Sequence, residues 1–208
     1  IAPAAVSLFA ANGMLACART YIEGSTNDGL IYHDGTGANL PKGTISCVTL
    51  VRAVLDGIPY SDYIAGRDDT ISRSQLFNRY GYQLIDSPFK SNAKADSQFV
   101  YNYFKSLNLT RIVNKNLDGA APGCIFFIGD SENEINHCGL YFGNINGNNI
   151  TVEASSRNTT GVEFKTFHEL TPNFVAIAYP QMTGGYYRPD NILLDQNVLD
   201  ATRNQLLF

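Results

Sequence analysis

The sequence contains no tryptophan, and charged residues make up only 16% of its 208 positions. Lysine and arginine together number 15, against 19 aspartate and glutamate residues, which gives a net charge of −4. No basic run occurs, and phosphate binding requires a concentrated cationic surface, so nucleic acid is not expected to be the main partner. No apolar stretch is long enough to cross a bilayer, so no membrane span is expected.

Cysteine is also sparse, because Cys17, Cys47, Cys124 and Cys138 are the only four and no Cys-x-x-Cys pair occurs. A chain of this length buries enough apolar surface to fold without a disulfide framework. A zinc site made of Cys124, His137 and Cys138 is disfavoured because consecutive strand residues point to opposite faces of a sheet. We therefore expect no metal and no cofactor. Every cysteine except Cys47 is interpreted as a small core residue.

Hydrophobic spacing divides the chain into helices followed by strands. Residues 23–45 and most of 61–95 are polar and predict irregular loops. Helices are predicted over residues 3–22, 46–57, near 72–80, and 96–107, and strands over residues 124–128, 137–142, 149–155, 161–164 and 174–179. This order indicates an α+β domain with an antiparallel sheet over residues 1–185, followed by a tail or extension at residues 186–208.

Cys47 occupies a position that suits a reactive thiol. The segment Ser46-Cys-Val-Thr-Leu-Val-Arg-Ala-Val-Leu-Asp-Gly-Ile-Pro-Tyr60 has apolar residues at intervals of three and four, which predicts a helix. Thr44 or Ser46 can cap its start, so Cys47 falls in the first turn. The positive end of the helix dipole favours a thiolate there. A buried cysteine on an amphipathic helix explains this position equally well, so the assignment depends on finding a base.

Three histidines are available as that base, namely His33, His137 and His168. His137 lies in Asn136-His-Cys-Gly-Leu-Tyr-Phe-Gly143, where alternation puts it on the same strand face as a glycine and a tyrosine. Three apolar residues take the other face, which indicates the core. The glycine leaves room for another element to approach closely. His137 is therefore the predicted base for Cys47.

Glu153 is the candidate for the third group, which would orient the imidazole by accepting a hydrogen bond. Glu153 follows His137 by 16 residues, so the two share a face of a hairpin only if the connecting loop has an odd number of residues. A two-residue turn at Asn146 and Gly147 would instead bury an unpaired carboxylate in the core. We therefore predict a longer, odd loop centred near Asn146.

Several of these segments resemble those of NlpC-type peptidases, a papain-like family of cell-wall hydrolases. Ser46-Cys-Val-Thr49 is similar to the start of the family's nucleophile helix, usually Asp-Cys-Ser-Gly. Ala121-Pro-Gly-Cys-Ile-Phe-Phe127 resembles its Pro-Gly-Asp-Leu strand, and His137-Cys-Gly-Leu-Tyr-Phe-Gly-Asn144 resembles its His-Val-Gly-Ile-Tyr-Leu-Gly-Asn strand. Val152-Glu-Ala-Ser155 takes the place of the strand that carries the third polar residue. The resemblance covers roughly residues 10–180, and the histidine strand is its most specific part.

The resemblance implies a papain-like fold in which N-terminal helices pack on a central antiparallel sheet. It also implies a Cys47–His137–Glu153 triad that hydrolyses an amide bond in the peptide stem of peptidoglycan, commonly between D-glutamate and a diamino acid. Glu153 stands where the family mostly has histidine, asparagine or glutamine. Tyr32 corresponds to a tyrosine that lines the site near the oxyanion, and Ser46 replaces the family's aspartate. Both are candidate substrate or oxyanion contacts.

A peptidoglycan substrate implies a bacterial or phage protein that is secreted, associated with the cell wall, or carried by a virion. Two alternatives keep the fold and change the function. One is an acyltransferase or deamidase that uses the same thiol. The other is an inactive wall-binding or virion structural module, which the replacement of Ser-Gly by Val48 and Thr49 after the nucleophile favours. The sequence gives no information on the oligomeric state.

Overall fold

The computed structural model describes residues 5–66, 80–89, 94–167 and 172–184. Its α-helices are α1 Leu8–Asn27, α2 Cys47–Leu55, α3 Tyr60–Ile64 and α4 Ser97–Ser106. Its strands are β1 Ile31–Tyr32, β2 Thr44–Ile45, β3 Tyr82–Leu84, β4 Thr110–Ile112, β5 Cys124–Gly129, β6 Ile135–Ile145, β7 Asn148–Ala154, β8 Val162–Thr166, β9 Phe174–Ala178 and β10 Met182–Gly184. A short 3-10 helix spans Gly37–Asn39.

Six of the strands form one sheet in the order β4-β9-β5-β6-β7-β8, and every neighbouring pair is antiparallel. Helices α1, α2 and α4 contact this sheet, chiefly through β6, β7 and β8. The prediction of an α+β protein with helices on a central antiparallel sheet is confirmed at this level. Among the described residues, no helix combines the length and apolar character needed to cross a membrane.

The two faces of the sheet carry two separate apolar clusters. The helices bury the larger cluster, to which β6 contributes Cys138, Leu140 and Phe142. The smaller cluster on the opposite face includes Phe126 and Tyr141. The predicted alternation along β6 is confirmed, but the face that carries His137 also has an apolar core of its own.

Helix α1 continues five residues beyond its predicted end, through a Gly/Ser/Thr-rich segment that was expected to be a loop. Tertiary contacts stabilise this extension. The hydroxyl of Ser25 accepts a hydrogen bond from the Val162 amide at 2.8 Å, which ties the helix to β8. Gly24 lies against the Tyr60 ring, where a Cβ atom would come within 2.7 Å. Helix propensity depends on the residue type alone, so it does not predict an extension that contacts with distant residues stabilise.

The short strands were not predicted. Strands β1 and β2 pair in parallel within the segment expected to be irregular, and β3 pairs with β10. Strand β4 forms the edge of the main sheet. The helix predicted near residues 72–80 lies almost wholly outside the described residues, and so does the tail at residues 186–208.

The β6–β7 hairpin corrects one prediction. Its loop consists of only Asn146 and Gly147, both with positive φ (52° and 84°), so the odd loop expected there is wrong. The register shifts instead between Tyr141 and Gly143, which makes Phe142 the extra residue of a β-bulge. The bulge reverses the parity that the two-residue turn would impose. Glu153 therefore lies on the face expected for it, although by a different route.

Candidate functional site

The first turn of α2 is fixed by a capping box. Ser46 is the N-cap, and its side chain accepts from the Thr49 amide at 3.3 Å. In return, the Ser46 amide donates to the Thr49 hydroxyl at 2.8 Å. The predicted position of Cys47 at the start of a helix is confirmed, since Cys47 is the first residue of α2. The structure thus accounts for Ser46 through capping, and direct contact between Ser46 and a substrate stays a prediction.

Pairing of β1 with β2 brings Tyr32 close to the start of α2, where Cys47 lies. Tyr32 pairs with Ile45, two residues before Cys47. The next residue extends this pairing, since the His33 amide donates to the Ile45 carbonyl at 3.0 Å. Partial burial, followed by the nearby charges of Cys47 and Asp34, raises the pKa of Tyr32 to about 12. The phenol is therefore protonated at neutral pH, and its hydroxyl donates to Oδ1 of Asp34 at 3.4 Å, a long bond from which it would turn to serve as a donor near the thiol.

His137 and Glu153 form a buried pair on the sheet face opposite the helices. The Nε2 atom of His137 lies 2.8 Å from Oε1 of Glu153, and the two side chains are only 17% and 14% exposed. Because a carboxylate only accepts, Nε2 is the donor. Thr151 donates to the other carboxylate oxygen at 2.5 Å. Burial favours the neutral acid, but the bonds from His137 and Thr151 and the imidazole's charge keep the pKa of Glu153 below its usual value.

With Nε2 held by Glu153, Nδ1 is the ring nitrogen left to serve the nearby thiol of Cys47. Burial opposes a charged imidazole, but the bonds to Cys47 and Glu153 outweigh it and raise the pKa of His137 to about 10. A hydrogen bond from Cys138 is the largest influence on Cys47, and together with His137 it holds the pKa of Cys47 well below the usual thiol value despite burial. These directions favour a thiolate–imidazolium pair at neutral pH.

Two neighbours of the thiol were missed in the sequence. The hydroxyl of Ser97, the first residue of α4, lies 3.6 Å from the Sγ atom of Cys47 and donates to Sγ of Cys138 at 3.4 Å. The bond to Cys47, followed by burial, raises the pKa of Cys138 well above the usual thiol value, so Cys138 is the protonated partner. Ser97 stands 50 residues from Cys47 in the chain, and no local pattern marks it.

Gly139 provides the space in which the His137–Glu153 pair sits. A Cβ atom at Gly139 would lie 2.5 Å from the ring of Phe126 and 3.0 Å from Cγ of Glu153. The same Phe126 ring packs against the imidazole, with a centroid distance of 5.9 Å. The predicted close approach beside the histidine is confirmed, and the approaching groups are an aromatic ring and the carboxylate side chain itself.

The imidazole and Tyr32 face a pocket of about 540 Å³. Its lining is mixed in charge and includes Asp130, Arg157 and Lys165. Residues 67–79 and 90–93 of the loop predicted at 61–95 lie outside the described part of the chain.

The other histidine and cysteines that the structure describes are not part of this arrangement. His33 is exposed and bonds to the Asp34 carbonyl, and His168 lies outside the described residues. Cys17 is buried and donates to the Ile58 carbonyl at 3.4 Å. Cys124 belongs to the smaller core cluster. Within residues 5–66, 80–89, 94–167 and 172–184, no three histidine, cysteine, aspartate or glutamate side chains converge to hold a metal ion.

Comparison of this chain with protein-family models, with curated proteins and with solved structures finds no match. The resemblance to NlpC-type peptidases therefore depends on the motifs quoted above and on the geometry of the site. The structure brings together the predicted Cys47, His137 and Glu153, with Tyr32 and Ser46 beside them.

Proposed function

We propose that this protein is a cysteine hydrolase that cleaves amide bonds through Cys47, His137 and Glu153. One observation carries the proposal: Cys47 begins a helix close enough to His137 for each to shift the other's pKa, and a mostly buried carboxylate orients that imidazole at 2.8 Å. A nucleophile, its base and a group that orients the base are what covalent acyl transfer requires.

In the proposed first step, the Cys47 thiolate attacks the amide carbonyl carbon and its electron pair moves onto the carbonyl oxygen. The first amides of a helix have no intrahelical acceptor, and the Thr49 amide is already used by the cap. The Cys47 amide is therefore the natural donor to the oxyanion. Tyr32, protonated and next to the thiol, is the second candidate donor.

The tetrahedral intermediate then collapses as His137 gives its Nδ1 proton to the leaving amine. This leaves an acyl group on Cys47 and a neutral imidazole, which takes a proton from water as that water attacks the thioester. Glu153 stays ionised throughout and holds the ring in place. The mechanism requires no metal or cofactor.

The proposed substrate is the peptide stem of peptidoglycan, and the proposed fold is papain-like and of the NlpC type. The motif resemblance supports both, as does the order of elements, because a helix that begins with the nucleophile precedes an antiparallel hairpin that carries the base and the third polar residue. The protein would accordingly act outside the cytoplasm, secreted, associated with the cell wall, or in a phage particle. The bond between D-glutamate and a diamino acid is the expected target.

The test is digestion of purified peptidoglycan stem peptides by the unmodified protein and by Cys47→Ala, with products identified by mass spectrometry. Cys124→Ala is the matched control, because it makes the same change at a buried cysteine in the other core cluster. We expect cleavage with the gain of one water by the unmodified protein and the control, and none by Cys47→Ala. Cleavage by Cys47→Ala at the control's rate would refute the proposal.

The same digestion separates the alternatives. Products that join two peptides would identify an acyltransferase, and loss of ammonia without chain cleavage would identify a deamidase. An intact substrate, together with a Cys47 no more reactive towards alkylation than the other three cysteines, would instead identify an inactive wall-binding or virion module.

A further inference from the structure

Two consecutive residues of strand β6, which point to opposite faces of the sheet, both lie near the sulfur of Cys47. His137 points to the face away from the helices, whereas the next residue, Cys138, belongs to the helix-covered core. Both nevertheless lie close enough to Cys47 to lower its pKa. Helix α4 adds Ser97 at 3.6 Å, so the thiol meets an imidazole, a second thiol and a hydroxyl.

Proton counting assigns donors and acceptors in this group. When Cys47 is a thiolate, it has no proton to give and can only accept. Cys138 has one proton, and Ser97 has one that it can direct to either sulfur. All three groups are at least nine-tenths buried, with relative exposures of 8% for Cys47, 0% for Cys138 and 5% for Ser97. A buried anion requires such donors, since water does not supply them.

We propose that Cys138 and Ser97 are positioning residues that donate hydrogen bonds to the Cys47 thiolate and hold it ionised and aimed. This inference extends the proposed function by adding two donors to the three predicted residues, and it rests on Cys47 being the nucleophile. The Ser97 hydroxyl lies between the two sulfurs, 3.6 Å from that of Cys47 and 3.4 Å from that of Cys138. Its single proton can go to Cys47 directly, or to Cys138, whose own proton is then free to point at Cys47.

Other titratable groups near the thiol are few among the described residues. Tyr32 faces Cys47 from β1, His137 and Cys138 face it from β6, and Glu153 on β7 acts through His137. Changes at Cys138 or Ser97 leave the ring of His137 and its bond to Glu153 in place. A change in thiolate stability in those variants is therefore separable from a change in the base.

The experiment measures the rate at which iodoacetamide alkylates Cys47 as a function of pH, with the modified residue located by peptide mass spectrometry. Cys138→Ala should raise the midpoint of this profile by about one to two pH units, because a hydrogen bond to a charged group is lost. Cys138→Ser retains a donor and should restore most of the shift. Cys124→Ala, an identical change at a fully buried strand cysteine, should leave the midpoint unchanged.

Ser97 provides a second measurement from another element, α4, and its replacement by alanine removes one hydroxyl while both cysteines stay in place. Ser97→Ala should raise the midpoint by up to about one pH unit, and Ser97→Thr should restore it. Unchanged midpoints in both Cys138→Ala and Ser97→Ala would overturn the inference, and so would an equal shift in Cys124→Ala. If Cys138→Ala does not fold, the Ser97 pair and Cys138→Ser decide the matter. Because alkylation needs no turnover, failure to cleave peptidoglycan would leave this result interpretable.

Discussion

Replacement of Glu153 by glutamine removes one charge from the site and leaves its shape almost unchanged. The glutamine oxygen can still accept from Nε2 of His137, and its amide nitrogen can donate to the Thr151 hydroxyl, so the ring should keep its orientation. What is lost is the charge assistance across a buried contact of 2.8 Å. Hydrogen bonds to charged groups contribute about 1.5–3 kcal/mol, compared with about 1 kcal/mol for neutral ones.

The expected consequence is a lower pKa for His137, since the imidazolium loses its anionic partner. The difference of about 0.5–2 kcal/mol corresponds to roughly 0.4–1.5 pH units, so the pKa of His137 should fall by that amount in Glu153→Gln from about 10 in the native protein. The thiolate–imidazolium pair should become about 2 to 30 times less populated relative to the neutral pair. Alkylation of Cys47 at neutral pH should slow in the same direction.

The assay is NMR titration of the histidine ring protons between pH 5 and pH 11, with the His137 signal assigned from its loss in His137→Gln. Glu163→Gln is the matched control, because Glu163 lies directly opposite Glu153 on β8 and bonds to the Thr160 amide at 2.6 Å. The reasoning is refuted if His137 titrates at the same pH in Glu153→Gln as in the native protein. An equally large shift in Glu163→Gln would also refute it, because the effect would then be a general one of charge.

Two further predictions concern the same site. Because the pKa of Cys47 is lowered, alkylation of Cys47 should stay fast through neutral pH and slow only in acid. An alkylation rate that climbs steadily through pH 8–9 would contradict this. Because the pKa of His137 is raised to about 10, peptide hydrolysis should fall as the pH rises past about 10 and His137 loses the proton it must donate. Gly139→Ala should lower the free energy of unfolding in urea by about 1–3 kcal/mol and slow alkylation, because the new Cβ collides with Phe126 and Glu153, and adding Phe126→Leu should recover part of both losses.

The positions of the site's side chains were largely predictable, because local sequence patterns determine them. The cap at Ser46 and the apolar spacing after it define α2 and place Cys47 in its first turn. The alternation along β6 assigns His137 and Cys138 to opposite faces, as observed. These features depend on backbone geometry within a few residues of each side chain, and a single sequence records that geometry directly.

What the sequence did not reveal depends on contacts between distant segments. Ser97 reaches the thiol because α4 packs against β6, and no local signal marks this contact. Tyr32 was named from the family resemblance, but the pairing of β1 with β2 that brings it to the site was not predicted. The face assigned to Cys138 was right, but the step from core residue to thiol donor required knowing where α2 lies on the sheet. The predicted loop length was wrong for a related reason, since a bulge can be placed at many positions in a long hairpin.

Because of the bulge at Phe142, the contact between Glu153 and His137 depends on the number of residues in the hairpin. Removing that one residue would turn every side chain of β6 before it over with respect to β7, and Glu153 would meet the apolar side of its neighbour rather than the imidazole. Adding one residue between Asn146 and Gly147 would turn the strand back. A single-residue insertion or deletion in this hairpin should therefore separate His137 from Glu153, and one of each together should restore their contact, so the number of residues here matters as much as their identity.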